Sequence, residues 1–170
     1  RCDLLLADAQ ALAGGDHQFG INLQNASLDS VRGRITLNGT AGTLGGGAGV
    51  SIGGNSSVTS NGGEISITGY GGSTPGGVWS DGVDITGSVI SSNPGIGIGG
   101  TISITGTGGA YGASWGVGID GNSIVDAYGG ALDIKGTGGL HDNSLPNAAS
   151  HGVAFGGSGS ATITSAGGSV

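Results

Sequence analysis

Gly62-Gly63-Glu64-Ile65-Ser66-Ile67-Thr68-Gly69 decides the fold, because the same phrase returns at Gly99-Gly100-Thr101-Ile102-Ser103-Ile104-Thr105-Gly106 and at Gly129-Gly130-Ala131-Leu132-Asp133-Ile134-Lys135-Gly136. An earlier copy, Gly33-Arg34-Ile35-Thr36-Leu37-Asn38-Gly39, lacks one glycine, and the phrase begins again at Gly167-Gly168-Ser169-Val170. The first apolar anchors, Ile35, Ile65, Ile102, Leu132 and Val170, are 30, 37, 30 and 38 residues apart. The chain is therefore a repeat with a period of roughly 30 residues, lengthened in places by insertions.

A second phrase, G-[IV]-x-[ILF], recurs in the same order at Gly20-Ile21-Asn22-Leu23, Gly49-Val50-Ser51-Ile52, Gly82-Val83-Asp84-Ile85, Gly116-Val117-Gly118-Ile119 and Gly152-Val153-Ala154-Phe155. A third, looser one carries Leu28, Val58, Val89 with Ile90, Ile124 with Val125, and Ile163. In each phrase apolar residues alternate with Ser, Thr, Asp, Asn, Arg or Glu, the period of two of a strand with one face buried and one wet. Each repeat thus holds three short strands. Helical spacing is absent; the Ala- and Leu-rich tract from Leu4 to Leu12 could be read as helix, but it stops before Gly14-Gly15 and lies where a strand is due.

Three strands in constant order exclude a propeller, whose blades have four strands in about 40 to 45 residues and carry WD or kelch signatures. In a solenoid, each turn of chain lays its strand above the equivalent strand below, so Ile35, Ile65, Ile102 and Leu132 stack into one aliphatic core column. The expected fold is all-β: a single parallel β-helix segment over residues 1–170, with about five coils of three short strands. Coils about 4.8 Å apart would give a rod section of about 24 Å. Glycines at the corners suit sharp turns and positive φ.

Composition fits this reading and narrows the function. Among 170 residues are 43 glycines and 3 prolines, yet 35% are hydrophobic and only 9% charged, unlike a solvated disordered tail. The net charge of −7 repels a phosphate backbone, so nucleic acid is not an expected partner. No apolar run approaches the roughly 20 residues of a membrane span, and no signal peptide is recognisable. A lone cysteine, Cys2, excludes a disulfide framework, and no Cys/His cluster is spaced for zinc.

Through GG-x-I-x-I-x-G, G-V-x-I and the opening Leu4-Leu5-Leu6-Ala7-Asp8, most of the chain resembles the filamentous-haemagglutinin type of secreted bacterial adhesin, including two-partner-secretion exoproteins and related autotransporter passengers. The resemblance implies a right-handed parallel β-helix and an extracellular, cell-surface setting.

Insertions in a solenoid fall on loops and leave the core untouched. Those between first and second strands carry Tyr70, Trp79, Tyr111, Trp115, His141 and His151. This is the expected binding ridge, since Trp and Tyr offer broad faces to a glycan or a host-surface protein. The plainer alternative is that the rings cover the flank of the core. Pro94-Gly95-Ile96-Gly97-Ile98 marks an insertion at another corner, read as a long loop.

Metal and catalytic readings are weaker. His141-Asp142 and His151 lack a ligand spacing, and Asp81, Asp84, Asp120 and Asp126 suggest calcium only through their oxygens, without the nonapeptide calcium motif. No cofactor is expected. β-helical polysaccharide-degrading enzymes need clustered carboxylates. The outward second-strand column, Asn22, Ser51, Asp84, Gly118 and Ala154, offers one carboxylate and no partner, and the first-strand column, Thr36, Ser66, Ser103 and Asp133, is no better. The chain is expected not to be an enzyme. Arg34 and Glu64, one coil apart, are expected to pair on the surface for at most ~1 kcal/mol.

Solenoid ends expose strand edges. Joining Val170 to Arg1-Cys2 would read GG-x-V-x-C, with Cys2 in the place of Ile67 and Ile21 lying 21 residues beyond Val170, as Val153 lies beyond Leu132. The chain is therefore expected to continue into a longer rod or to stack head to tail. The leading functional expectation is a structural stalk or fibre, and the second is an adhesive module using the aromatic ridge.

Overall fold

A computed structural model describes residues 5–10, 18–43, 46–73, 80–111, 113–140 and 150–166. All regular elements among them are strands, in three parallel sheets. The first sheet stacks β1 (Leu5–Gln10), β4 (Ile35–Thr40), β7 (Ile65–Tyr70), β10 (Ile102–Thr107) and β13 (Leu132–Thr137). The second stacks β2 (Ile21–Gln24), β5 (Val50–Gly53), β8 (Val83–Thr86), β11 (Val117–Asp120) and β14 (Val153–Phe155). The third stacks β3 (Ser27–Ser30), β6 (Ser57–Ser60), β9 (Val89–Ser91), β12 (Ser123–Asp126) and β15 (Ala161–Thr164). Every sheet runs in coil order, so the protein is a parallel β-solenoid of about 4 turns with about 32 residues per turn.

The register follows the repeated phrases. Ile35, Ile65, Ile102 and Leu132 are direct ladder partners. The second sheet aligns Ile21, Val50, Val83, Val117 and Val153. Their side chains meet those of Val58, Ile90 and Val125 in one core, where Ile35, Ile65, Ile102, Val83 and Val117 have no exposed surface. Each such aliphatic removed from water contributes about 1.5 to 3 kcal/mol toward the backbone ordering cost.

Two ambiguities of the sequence are resolved. In the third sheet Ile90 and Val125 point inward, while Val89 and Ile124, paired with each other, face solvent at 37% and 40% exposure. The opening tract forms strand, with Leu5 opposite Ile35 and Ala7 opposite Leu37. This corrects the joined reading, which gave that coil's first strand to Val170, Arg1 and Cys2; those three residues lie outside the described ones. The Pro94 to Ile98 insertion is a loop with Ile96 and Ile98 exposed.

The three corners are built differently. In the first four coils the chain turns between second and third sheets in two or three residues through positive φ, as at Asn25 (51°), Gly87 (59°) and Asn122 (67°), where Asn and Gly are the residues that tolerate a left-handed backbone. Between third and first sheets, inward Ser30, Ser60 and Ser92 satisfy the turning backbone: Ser60 Oγ donates to Gly33 O at 3.0 Å and accepts Gly63 N–H at 2.9 Å, and Ser92 Oγ donates to Gly63 O at 3.0 Å. Between first and second sheets the insertions leave and re-enter through facing glycines: Gly39 with Gly49, Gly69 with Gly82, Gly106 with Gly116, and Gly136 with Gly152. The loops are thus pinched at their necks, and their length does not disturb the coils.

Arg34 and Glu64 pair at 2.6 Å on the wet face of the first sheet, as their one-coil separation predicts. Lys135 and Asp133 also pair there.

Candidate functional site

The expected ridge divides. Tyr70 ends β7 at 51% exposure and Tyr111 stands in the next loop at 38%. Trp79, His141 and Asp142 lie outside the described residues. Trp115 is turned off the ridge: its Cε3 lies 2.6 Å from where a Cβ on Gly118 would stand, and its Cη2 lies 3.4 Å from the same point on Gly157. The indole therefore rests on the outer face of the second sheet, in the space two glycines leave. His151 lies beside it, with ring centroids 6.4 Å apart and planes tilted by 45°. Of the six ridge residues, the structure brings Trp115 and His151 into ring contact.

Around Trp115 the second sheet carries a groove of about 400 Å³. Its lining includes Phe19, Ser51, Thr86 and Ser158 together with Asp81, Asp84 and Asp120. Asp81 comes from the loop end just before Gly82, Asp84 from the outward column of β8, and Asp120 from the last position of β11. The ladder sets Asp120 opposite Thr86, whose Oγ1 donates to Asp84 at 3.1 Å or to Asp120 at 2.9 Å. Asp81 is 6% exposed and accepts the backbone N–H of Trp115 at 2.6 Å. That bond reaches one coil up and ties the acid to the aromatic residue.

This corrects the reading of the second-strand column as one carboxylate without a partner. Asp84 is alone in its column, but Asp81 and Asp120 converge on it from other positions. The column comparison missed them because it aligned only equivalent residues. Asp-Gly-Val-Asp at 81–84 and Gly-Ile-Asp at 118–120 supply the three acids, but no repeat period brings them together. Asp126, grouped with these three as a calcium candidate, belongs to the third sheet, where its Oδ1 accepts the N–H of Tyr128 at 2.9 Å.

Burial pushes the Asp81 carboxyl up to about 7; the Trp115 N–H opposes the rise, and the charges of Asp84 and Asp120 add to it. Asp84 is raised as well, first by burial and then by Asp120, against the hydrogen bond from Thr86. No Lys or Arg is among the described residues lining the groove. The site is thus an aromatic-walled recess in which Asp81 and Asp84 hold their protons more tightly than free aspartates do.

Among the described residues, no three His, Cys, Asp or Glu side chains are grouped so as to hold a metal ion. Among them, too, no helix is long and apolar enough to cross a membrane. No protein-family model, curated protein or solved structure matches this chain.

Proposed function

We propose that this chain is part of a structural β-solenoid stalk or fibre of a bacterial surface or secreted adhesin, of the filamentous-haemagglutinin type. Its work is length and stiffness, and it performs no reaction. Coil-on-coil ladders and continuous core columns support this reading, since each coil is a template for the next.

The observation that carries it is the state of the last described coil. Val117, Ile119 and Val125 have no exposed surface, whereas Val153 and Ile163 above them are half-buried and Phe155 is 56% exposed. With Leu132 and Ile134 these residues line an open recess of about 530 Å³. It has the chemistry of every coil-to-coil contact below it. A further coil, from the same chain or a second copy, would bury it.

Electron microscopy of the purified chain tests the assembly. Rods or filaments with a coil repeat of about 4.8 Å along the axis are expected; a particle whose own segments cover both ends would overturn the proposal. Antibodies raised against the chain should label intact cells of the source bacterium, and labelling only after permeabilisation would remove the surface setting.

The exposed Tyr70 and Tyr111 favour a second reading, in which the loop ridge binds a glycan or host protein. Retention on a glycan array that disappears with Tyr70→Ala and Tyr111→Ala would support it; no retention of the parent chain would end it.

A further inference from the structure

We infer that the groove on the outer face of the second sheet binds an organic cation: an ammonium or guanidinium group carried on an apolar stem. Two independent features meet there. The first is shape. A solenoid face of small polar side chains is nearly flat, but here the indole of Trp115, seated over Gly118, walls a recess of about 400 Å³, with Phe19 also in its wall. The second is uncompensated charge. Asp81 is more than nine-tenths buried and lines the recess with Asp84 and Asp120, while the described Arg34 and Lys135 are paired with Glu64 and Asp133 on another sheet and Arg32 stands exposed between the third and first sheets, outside the lining.

The chemistry of the lining selects the ligand. Aromatic faces attract a cation through the ring quadrupole, and carboxylates accept its N–H groups in charge-assisted bonds. An anion meets only acceptors. A neutral sugar could use the rings but would leave the mutual repulsion of the carboxylates unrelieved. A divalent metal needs several oxygens converging on one point, and these aspartates are not so grouped. An ammonium or guanidinium on a hydrocarbon stem satisfies rings and carboxylates together, whether it is a free amine or a Lys or Arg side chain of a partner polypeptide.

Titration calorimetry and Trp115 fluorescence in a Trp79→Phe background test this, with blocked lysine, blocked arginine, a lysine-containing peptide, a neutral disaccharide and calcium chloride as probes. The expected result is saturable binding of the cationic probes that tightens from pH 5.5 to 8. The titratable side chains around Trp115 are Asp81, Asp84, Asp120 and His151; burial raises Asp81 and Asp84, so Asp81→Asn should reduce that pH dependence and leave the part due to Asp84. Asp84→Asn should weaken binding by about tenfold, the loss of one charge-assisted contact. Asp126→Asn, the same charge change on the third sheet, should leave it unaltered. Should Asp84→Asn lose its β-sheet circular dichroism, Asp120→Asn takes its place. Tighter binding of the peptide than of blocked lysine points to a partner polypeptide, and equal binding to a free amine; both support the site. No saturation, an equal response to the disaccharide, tighter binding of calcium, or an equal loss in Asp126→Asn would overturn it. None of these outcomes depends on whether the chain forms rods.

Discussion

Gly69 abuts the carbonyl group of Gly82 so closely that a Cβ on Gly69 would stand 2.6 Å from the carbonyl carbon and 2.9 Å from Val83 Cγ2, and would overlap the oxygen. That oxygen cannot swing aside, because it accepts the N–H of Val50 from the coil below at 3.0 Å. The contact closes the neck of an insertion, so the small size of glycine, rather than an unusual φ, is what the site requires. Gly69→Ala should lower stability by roughly 3 kcal/mol, the upper range for overpacking against fixed backbone. Gly95 has a positive φ of 71° but nothing within 4 Å of its Cβ position, so Gly95→Ala should cost only about 1 kcal/mol of backbone strain. Urea midpoints of the two variants distinguish the mechanisms; equal losses would show that the neck is not tight.

The corner serines make a second contrast. Ser60 is 1% exposed and serves both Gly33 O and Gly63 N–H, so Ser60→Ala leaves a buried carbonyl and a half-buried N–H without that partner. In the same column two coils on stands Ala127, where Gly130 N–H reaches the Ala127 carbonyl at 2.9 Å instead. Partial rescue of that kind should hold the cost of Ser60→Ala to about 1 to 2 kcal/mol. Ser57 bonds Ser27 across the wet face at 2.9 Å, and Ser57→Ala should fall within about 0.5 kcal/mol of the parent. Denaturant unfolding reads both, and a larger loss for Ser57→Ala would place the structural serines on the wrong face.

Core columns should weaken toward the open end. Ile104 has no exposed surface and sits between Ile67 and Ile134, so Ile104→Ala opens a cavity that neighbours on both sides cannot fill. A loss of about 3 to 4 kcal/mol is expected. Ile163 lies half-buried in the last described coil, and Ile163→Ala should cost about 1 to 2 kcal/mol, since part of its surface is already wet. Under conditions where rods form, the second value should rise toward the first if a further coil covers Ile163. Thermal melts at low and high protein concentration compare them.

The fold was legible where one residue type repeated at one place. Ile65 and Ile102, each preceded by paired glycines, carry both register and inward face in the repeat itself. The third sheet was half legible: Val89-Ile90 and Ile124-Val125 put apolar side chains on both faces, and only the ladder shows that Ile90 and Val125 continue the column of Leu28 and Val58. The groove was illegible for a different reason. Gly118 reads as a gap in a column, yet it is the seat of Trp115, and which ring lies over a glycine depends on how a loop returns to its coil. Asp81 and Asp120 are likewise brought to Asp84 by a neck and by a strand end, which a repeat period does not specify.

The same burial that shapes the groove makes stability depend on pH. Asp81 has a folded pKa of about 7 against 3.8 for the free side chain, so between those values the folded chain binds more protons than the unfolded one. Stability is then full below about pH 4 and falls as pH rises through 7. The integrated loss is roughly 4 kcal/mol at most, at 1.36 kcal/mol per pKa unit. Asp84 is raised too and adds a loss of the same sign. Asp81→Asn keeps an acceptor for the Trp115 N–H but has no proton to lose, so its urea midpoint should decline clearly less between pH 4.5 and 8.5, leaving the slope due to Asp84. At pH 8.5 the variant should be the more stable protein, because it no longer buries a charge beside two others. A parent midpoint that stays level or climbs over this range would show that Asp81 is charged at no cost, and therefore that the groove is wetter and less closed by Trp115 than its geometry indicates.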